Sequence, residues 1–150
     1  MGNRRKSREL AMQALFSIDM SPNGSKDVLE RFCDNFTPSS KTLSFFLKLV
    51  HGVLHTRTEI DAVIARYSNN WKLNRMSCVD RNIMRVAVYE LLCCQDIPHK
   101  VSINEAIDIG KKFGTEESGA FINGILDSIR RALENKDVDV KINFSPNTVE

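Results

Sequence analysis

The sequence of 150 residues has no long apolar run, and this absence excludes several classes of protein. No stretch approaches the roughly 20 apolar residues that a membrane-spanning helix needs. The basic N-terminus is not followed by the apolar segment of a secretory signal peptide. We therefore expect a cytoplasmic protein that does not associate with a membrane.

Motifs for common enzyme and cofactor chemistry are also missing. The sequence contains no glycine-rich loop of the P-loop or dinucleotide-binding type, and no nucleophile elbow. None of the four cysteines forms a C-x-x-C pair. Cys93 and Cys94 are adjacent on a helical pattern and would point about 100° apart, which makes them a poor metal pair. We expect buried thiols in a reducing compartment, and no cofactor.

Two histidines at helical spacing are the only hint of a metal site. His51 and His55 are four residues apart, but the Gly-Val-Leu between them lacks the glutamate of the H-E-x-x-H motif. The third histidine, His99, falls in a proline-containing loop. We expect histidines on an ordinary helix surface and no metal.

Apolar residues recur with the 3.6-residue spacing of α-helices along most of the chain. The length predicts one domain, over residues 1–134. Helices are predicted over 4–19 and 26–36, over 38–67 with a bend near 52–57, over 78–95, and as a pair within 103–127. Alternating apolar residues after Leu133 predict an extended tail over 135–150, docked along the helices or disordered.

Helix caps are predicted at several of these boundaries. Ser77 is followed three residues later by Asp80, and Thr37 precedes a proline suited to the first helical position. The helix from 78 is apolar on several sides, which is typical of a central, buried helix.

The segment 103–127 predicts two helices joined by a tight turn. Ser102 and Glu105 have the spacing of a capping box. Gly114 follows the last periodic residue, where a left-handed backbone conformation is commonest. Thr115 is then expected to cap the second helix.

Four basic residues stand before the first acidic residue of the chain, Glu9. They are Arg4, Arg5, Lys6 and Arg8. Such a cluster is typical of a surface that contacts phosphate groups. The alternative, equally favoured by these residues alone, is a solvated terminus that binds nothing.

The first helix also predicts an outward-facing aromatic residue. Its apolar stripe consists of Leu10, Ala11, Ala14, Leu15 and Ile18. Arg5, Met12 and Phe16 fall on another side, where an arginine could hold phosphate while a ring stacks a base. The alternative is that Met12 and Phe16 pack beneath a neighbouring helix.

Three stretches carry a resemblance to a known family. They are RRKSRELAMQALF near the start, DRNIMRVAVYELL in the middle, and INEAIDIGKKFG followed by FINGILD. In this order they resemble the NusB family of bacterial transcription antitermination factors, over roughly residues 4–133.

The resemblance implies an all-α fold of about seven helices in two small bundles, and a function without catalysis. It implies binding to the single-stranded boxA element of ribosomal RNA leader transcripts, together with NusE, a ribosomal small-subunit protein. The resulting complex modifies elongation by RNA polymerase. Some members of the family self-associate, so a homodimer is a further possibility.

The resemblance also implies roles for particular residues. The basic start maps onto Arg4, Arg5, Lys6 and Arg8, and the other RNA-facing positions match Gln13, Phe16, Phe113, Glu117 and Phe121. Asp80 matches a carboxylate that faces NusE. Phe16 stands where a tyrosine is common, which removes a hydroxyl contact but keeps a ring for stacking. Ala120 stands where a basic residue can occur, and Glu117 replaces a usual aspartate.

Two other functions fit parts of the sequence. NusB-like domains also occur ahead of a ribosomal RNA cytosine methyltransferase domain, but we expect a chain of this length to be too short for that domain. A purely structural helical module is the other alternative. Loss of RNA binding on removal of the basic charges would distinguish an RNA-binding factor from such a module.

Overall fold

The described part of the chain consists of helices and short turns. The computed structural model describes residues 2–21, 25–35, 39–68 and 75–135, and these ranges contain seven α-helices and no β-strand. The helices are α1 (Gly2–Met20), α2 (Ser25–Asp34), α3 (Ser40–His55), α4 (Arg57–Tyr67), α5 (Cys78–Cys93), α6 (His99–Phe113) and α7 (Ser118–Glu134). The all-α prediction is therefore confirmed. The predicted tail lies outside the described residues, apart from Asn135.

Helix α5 lies at the centre of the molecule. It packs against α1 and α3 on one side and against α4, α6 and α7 on the other. Ten of its sixteen residues are buried, and the side chain of Ser77 accepts a hydrogen bond of 3.0 Å from the backbone N–H of Asp80 at its start. Both the cap and the central position were predicted from sequence. Helices α1–α3 form one small bundle, and α4–α7 form the other.

Helix α1 buries more of its surface than its apolar stripe predicts. The five residues of the stripe are buried, and Met12 is buried as well, with 3% of its surface exposed. Met12 lines a narrow space between α5 and α6 together with Ile83 and Ile109. The prediction that Met12 lies on an outer side of α1 is wrong, because α1 packs against α3 and α5 and has α6 alongside it.

The predicted bend in the segment 38–67 occurs at Thr56. Its hydroxyl donates a hydrogen bond of 2.7 Å to the carbonyl oxygen of Gly52, and α4 begins at the next residue. Gly52 has no side chain where the ring of Tyr89 packs, so any Cβ there would collide with that ring. The close approach of α3 and α5 therefore depends on this glycine.

Helix α3 begins later than predicted. Its cap is Ser39, whose side chain accepts a hydrogen bond of 3.2 Å from the backbone N–H of Thr42. The predicted cap at Thr37 is therefore wrong, and Thr37 itself lies outside the described residues.

The predicted capping box at Ser102 is also wrong. Helix α6 begins at His99 with Pro98 in the cap position, so Ser102 lies within the first turns of the helix. The Ser102 hydroxyl donates a hydrogen bond of 2.7 Å to Glu90 of α5, and Glu105 accepts hydrogen bonds from Arg5 of α1. Both side chains have tertiary partners that a local pattern could not reveal.

The turn between α6 and α7 corrects the prediction for Gly114. Its backbone is extended, with φ −98° and ψ −153°, and is not left-handed. A Cβ at this position would collide with the side chain of Ser118 and lie 2.8 Å from the carbonyl oxygen of Gly110. Gly114 therefore fits because it lacks a side chain, and its conformational freedom is not needed here.

Thr115 and Ser118 stabilise the same turn by accepting hydrogen bonds from backbone N–H groups. The Thr115 hydroxyl accepts from the backbone N–H of Glu117 at 3.3 Å, and Ser118 Oγ accepts from the backbone N–H of Thr115 at 2.9 Å. Helix α7 begins at Ser118 with Glu117 in the cap position, so the prediction that Thr115 caps this helix is wrong, and Thr115 instead stabilises the turn before it.

Three further predictions concern membranes, metals and thiols. Among the described residues, no helix has both the length and the apolar character needed to cross a membrane. The same residues contain no group of three or more side chains arranged to hold a metal ion. All four cysteines are free thiols, and only Cys94 is fully buried.

Candidate nucleic-acid interface

The basic cluster lies on the first two turns of α1. Because a helix turns by about 100° per residue, the four side chains point in different directions and meet different neighbours. Their environments differ accordingly, from an enclosed ion pair at Arg8 to an exposed ammonium group at Lys6. The cluster is therefore not one uniform surface.

Arg8 is enclosed between α1, α5 and α6. Its Nε and Nη2 atoms donate hydrogen bonds of 2.8 and 2.9 Å to the two carboxylate oxygens of Glu90. Ser102 donates to the same carboxylate, and both charged residues are almost fully buried. Paired charges of this kind crosslink helices. The structure argues against the expected phosphate contact at Arg8, because its guanidinium group is enclosed and already paired.

Arg5 lies at the surface, but two carboxylates hold it. It donates to both carboxylate oxygens of Glu105, at 2.6 and 2.8 Å, and to Asp108 at 3.0 Å. The hydrogen bonding between Arg5 and Glu105 lowers the pKa of Glu105 and raises the pKa of Arg5. A phosphate group at Arg5 would have to compete with these carboxylates.

Arg4 and Lys6 keep their positive charges largely uncompensated. The guanidinium carbon of Arg4 lies 4.5 Å from the centre of the Phe45 ring, and Arg4 is 3.8 Å from Asp96. About half of the Arg4 side chain and two thirds of the Asp96 side chain are exposed, so solvent screens this pair. Lys6 is exposed and makes no ion pair with a carboxylate of the described residues.

A second ionic contact joins α1 to the end of α6. Lys112 donates to both carboxylate oxygens of Glu9, at 3.2 and 3.3 Å, and its ammonium group lies 5.2 Å from the centre of the Phe113 ring. Since Arg5 meets residues 105 and 108, and Glu9 meets residue 112, α1 and α6 run in the same direction here. Gln13 and Phe16 lie one and two turns further along α1, in the direction in which α6 runs to its turn with α7.

The three predicted residues of that turn differ in exposure. Phe113 ends α6 and Phe121 lies in the first turn of α7, and both rings are partly buried against the core. Glu117 is exposed in the turn between them, while Gln13 and Phe16 on α1 are partly buried. The fold thus directs α1 and the turn between α6 and α7 to one side of the molecule.

Asp80 lies apart from these residues, at the start of α5. It is 8% exposed, and its Oδ1 atom is buried without a hydrogen-bond partner among the described residues. A buried carboxylate oxygen without a donor costs free energy of about 1–3 kcal/mol or more. A donor from another molecule could remove that cost.

Two residues of this site were not predicted. Glu105 and Lys112 determine how α1 is held against α6, yet each is an ordinary charged residue of a helix in the sequence. No local signal could have identified them, because their partners lie about 100 residues away, on α1.

Comparison with known proteins shows extensive similarity to one family. The chain matches the model described as NusB family over residues 5–131. It is 56% identical over 137 residues to the transcription antitermination protein NusB of Desulfatibacillum aliphaticivorans, and the match covers 91% of this chain and 96% of that relative.

Solved structures show the same similarity. The structure of T. maritima NusB is 40% identical, with a TM-score of 0.77 over 85% of this chain and 90% of that one. A chain in the crystal structure of antitermination factors NusB and NusE in complex with dsRNA is 25% identical. It has a TM-score of 0.78, and the match covers 88% of this chain and 98% of that one.

Proposed function

Because the chain belongs to the NusB family, we propose that it is a non-catalytic, RNA-binding factor in transcription antitermination. In this proposal it acts in the cytoplasm and binds the boxA element of ribosomal RNA leader transcripts together with NusE. The complex then modifies elongation by RNA polymerase. The related crystal structure contains NusB, NusE and double-stranded RNA, which supports both classes of partner.

The observation that carries the RNA proposal is the uncompensated positive charge at the start of α1. Arg4 and Lys6 are exposed, and they lie on α1 nearer to its N-terminus than Phe16 does. Phe113 and Phe121 lie on the neighbouring helices and are partly exposed. Cations that hold phosphate groups, beside rings that stack bases, are the arrangement with which proteins bind single-stranded RNA.

The polar residues of this surface have complementary roles in the proposal. The amide of Gln13 can both donate to and accept from the edge of a base. The Glu117 carboxylate repels phosphate, so it faces the amino group of a base and not the backbone. Arg5 exchanges part of its contact with Glu105 and Asp108 for a phosphate when RNA binds.

The proposed NusE contact is at Asp80. Its buried Oδ1 atom lacks a donor within the described chain. A donor from NusE would satisfy this oxygen, and this gain would favour the complex over the separate proteins.

The test is an RNA titration with a double variant, Arg4→Ala with Lys6→Ala. Each lost phosphate contact lowers the log–log salt slope of single-strand binding by about 0.7, so we expect the slope to fall by about 1.4. Fluorescence anisotropy of labelled boxA RNA at several salt concentrations measures this slope. Sedimentation of the protein at the same concentrations shows whether a homodimer takes part.

A matched control removes two exposed lysines elsewhere, by Lys26→Ala with Lys100→Ala. The control loses the same net charge, so an equal fall in its slope would mean that only overall charge matters. A duplex RNA of the same sequence, and a mixture with NusE, complete the comparison. An unchanged slope in the Arg4 and Lys6 variant would contradict the proposed surface.

A further inference from the structure

An open cleft lies beside the start of α1, where α1 meets α3. Its volume is about 640 Å³, and its lining includes Arg4 of α1 with Lys41, Ser44, Phe45 and Lys48 of α3. None of the charged side chains of α3 in this cleft was predicted as part of a site. The cleft adjoins the proposed RNA surface, because Arg4 belongs to both.

The spacing of the α3 residues explains why they face the same cleft. Lys41, Ser44, Phe45 and Lys48 follow the i, i+3, i+4, i+7 pattern that places side chains along one side of a helix. A hydrogen bond of 2.7 Å from the buried Ser7 hydroxyl of α1 to the carbonyl oxygen of Thr42 fixes α3 against α1. The position of Arg4 relative to the two lysines is therefore set by the packing of the helices.

The cleft is strongly positive. Arg4, Lys41 and Lys48 carry three positive charges, and no acidic residue of the described ranges lines the cleft. The nearby carboxylate of Asp96 reaches Arg4 only at 3.8 Å and is largely exposed, so it offsets at most one of the three charges. The first turn of α3, where the helix dipole places partial positive charge, lies at the same cleft.

The described lining of the cleft offers hydroxyl and ammonium groups but no exposed ring. Phe45 is 8% exposed, and the guanidinium group of Arg4 covers its ring. A base would have no flat apolar surface here on which to stack. The two lysines and the hydroxyl groups therefore suit the phosphate groups of a nucleic-acid backbone, contacts that carry no sequence information.

We propose that this cleft binds backbone phosphates of the RNA and extends the RNA path from the outer side of α1 onto the start of α3. The inference rests on the proposed RNA-binding function. It predicts that nucleotides flanking the recognised element add affinity through Lys41 and Lys48, without regard to their sequence.

The test compares the parent protein with a Lys41→Ala and Lys48→Ala double variant on two labelled RNAs. One RNA contains the boxA element alone, and the other contains the same element with unstructured flanks on both sides. With the flanked RNA, we expect the salt slope of the variant to be about 1.4 smaller than that of the parent. The ratio of the parent's affinity to the variant's affinity for this RNA should then shrink by about sevenfold between 50 and 200 mM salt. With the short RNA, the two proteins should bind alike.

The controls separate this inference from the proposed function. The Lys26→Ala and Lys100→Ala double variant should bind the flanked RNA with nearly the parent slope, and thermal melts should show that all variants are folded. The salt slope of the Lys41 and Lys48 variant could equal that of the parent while the slope of the Arg4 and Lys6 variant falls. This result would contradict phosphate binding in the cleft but leave the proposed function standing. If the Lys41 and Lys48 variant lost the same affinity for the short RNA as for the flanked RNA, the extended RNA path would be wrong. A parent protein that binds neither RNA would overturn both proposals.

Discussion

Arg4 and Arg8 lie one turn apart on α1, and both guanidinium groups lie near the same ring, yet their environments are opposite. The guanidinium carbons are 4.5 and 5.5 Å from the centre of the Phe45 ring. The Arg4 side chain is 48% exposed, and that of Arg8 is 5% exposed. The ring marks the boundary between the interior and the surface, and two arginines that look alike in the sequence meet different partners.

The difference follows from what each charge meets. Arg8 is removed from water and stays charged because Glu90 accepts two hydrogen bonds from it. Such a pair holds α1 against α5, and the enclosed guanidinium group is out of reach of a ligand. Arg4 stays half-exposed and, among the described residues, meets a carboxylate that solvent screens, so its charge is available for the proposed phosphate contact. A basic cluster in a sequence therefore overstates the charge that is available at the surface.

The largest predicted effect is on the buried side of this comparison. Arg8→Met should lower the free energy of unfolding by about 3–5 kcal/mol, because Glu90 is left buried without its counter-charge. Urea unfolding measures the loss. RNA affinity, corrected for the folded fraction, should change little, since Arg8 does not reach the surface.

Arg4→Met is the matched control and should show the opposite pattern. Its unfolding free energy should stay within about 0.5 kcal/mol of the parent value, while RNA binding weakens. If Arg8→Met instead melted like the parent and lost RNA binding, the assignment of Arg8 to the interior would be wrong.

Met12 and Phe16 form the apolar counterpart of the comparison, again one turn apart on α1. Met12 is buried and Phe16 is partly exposed. Met12→Ala should cost about 2–5 kcal/mol of stability through the lost packing. Phe16→Ala should cost less stability but about 1–3 kcal/mol of RNA binding, if its ring stacks a base.

Phe16→Tyr sharpens this test because it keeps the ring and adds only a hydroxyl. A partly exposed position should accept the hydroxyl without loss of stability, and RNA affinity should be kept. Paired melts and RNA titrations measure both quantities. A large loss of stability with unchanged RNA affinity would place Phe16 in the core.

Much of the fold was predictable because its signals are local. The stripe of α1, the Ser77 cap, the bend before α4 and the central position of α5 all follow from the spacing of apolar residues and from cap chemistry. The errors at Ser102 and Gly114 have one cause. Each residue was assigned a local role, whereas a neighbouring element decides its environment: Glu90 for Ser102, and Ser118 of the following helix for Gly114.

The site was less predictable, because pairing between helices decides which charges are available. Arg8 meets a carboxylate 82 residues away, and Arg5 meets one 100 residues away. No residue close to either arginine in the sequence indicates these partners. Lys41 and Lys48, by contrast, are seven residues apart on one side of α3, a spacing that was visible in the sequence but gained meaning only when α3 was placed beside Arg4.

The environment of Arg5 is intermediate between those of Arg4 and Arg8. A third prediction concerns a variant in which Arg5 loses its carboxylate partners, as Arg4 nearly lacks them. Glu105→Gln with Asp108→Asn removes both carboxylates that hold its guanidinium group. We expect RNA affinity to rise by about two- to fivefold, because exposed ion pairs contribute about 0–1 kcal/mol each and RNA no longer competes with them. Anisotropy titrations at constant salt measure the change.

The matched control for this variant is on α7, where Arg130 pairs with Asp127 and Glu134. Asp127→Asn with Glu134→Gln removes the same number of negative charges and frees two arginines of α7, Arg130 and Arg131. If the control raised RNA affinity as much as the Arg5 variant does, net charge and not Arg5 would explain the gain.

The smallest effect concerns the titration of Glu105. The hydrogen bond from Arg5 lowers the pKa of Glu105 below the ordinary glutamate value of about 4.3. Between that value and the lower folded value, the unfolded chain binds more protons than the folded chain does. The contribution of Glu105 to stability is therefore complete above about pH 4.3 and is lost as the pH falls through the folded pKa.

Glu105→Gln should therefore lose less stability than the parent on acidification from about pH 5 to pH 3, by at most about 1 kcal/mol, since the pair is partly exposed. Both proteins should keep some acid sensitivity from Asp19. Burial raises the pKa of Asp19, but hydrogen bonds from Asn82 and Arg85 outweigh this and lower it overall. Urea unfolding at steps across this pH interval measures the difference. If the free energy of unfolding fell equally with pH in the two proteins, Arg5 would be held by Asp108 alone. The environment of Arg5 would then resemble that of Arg4 more than that of Arg8.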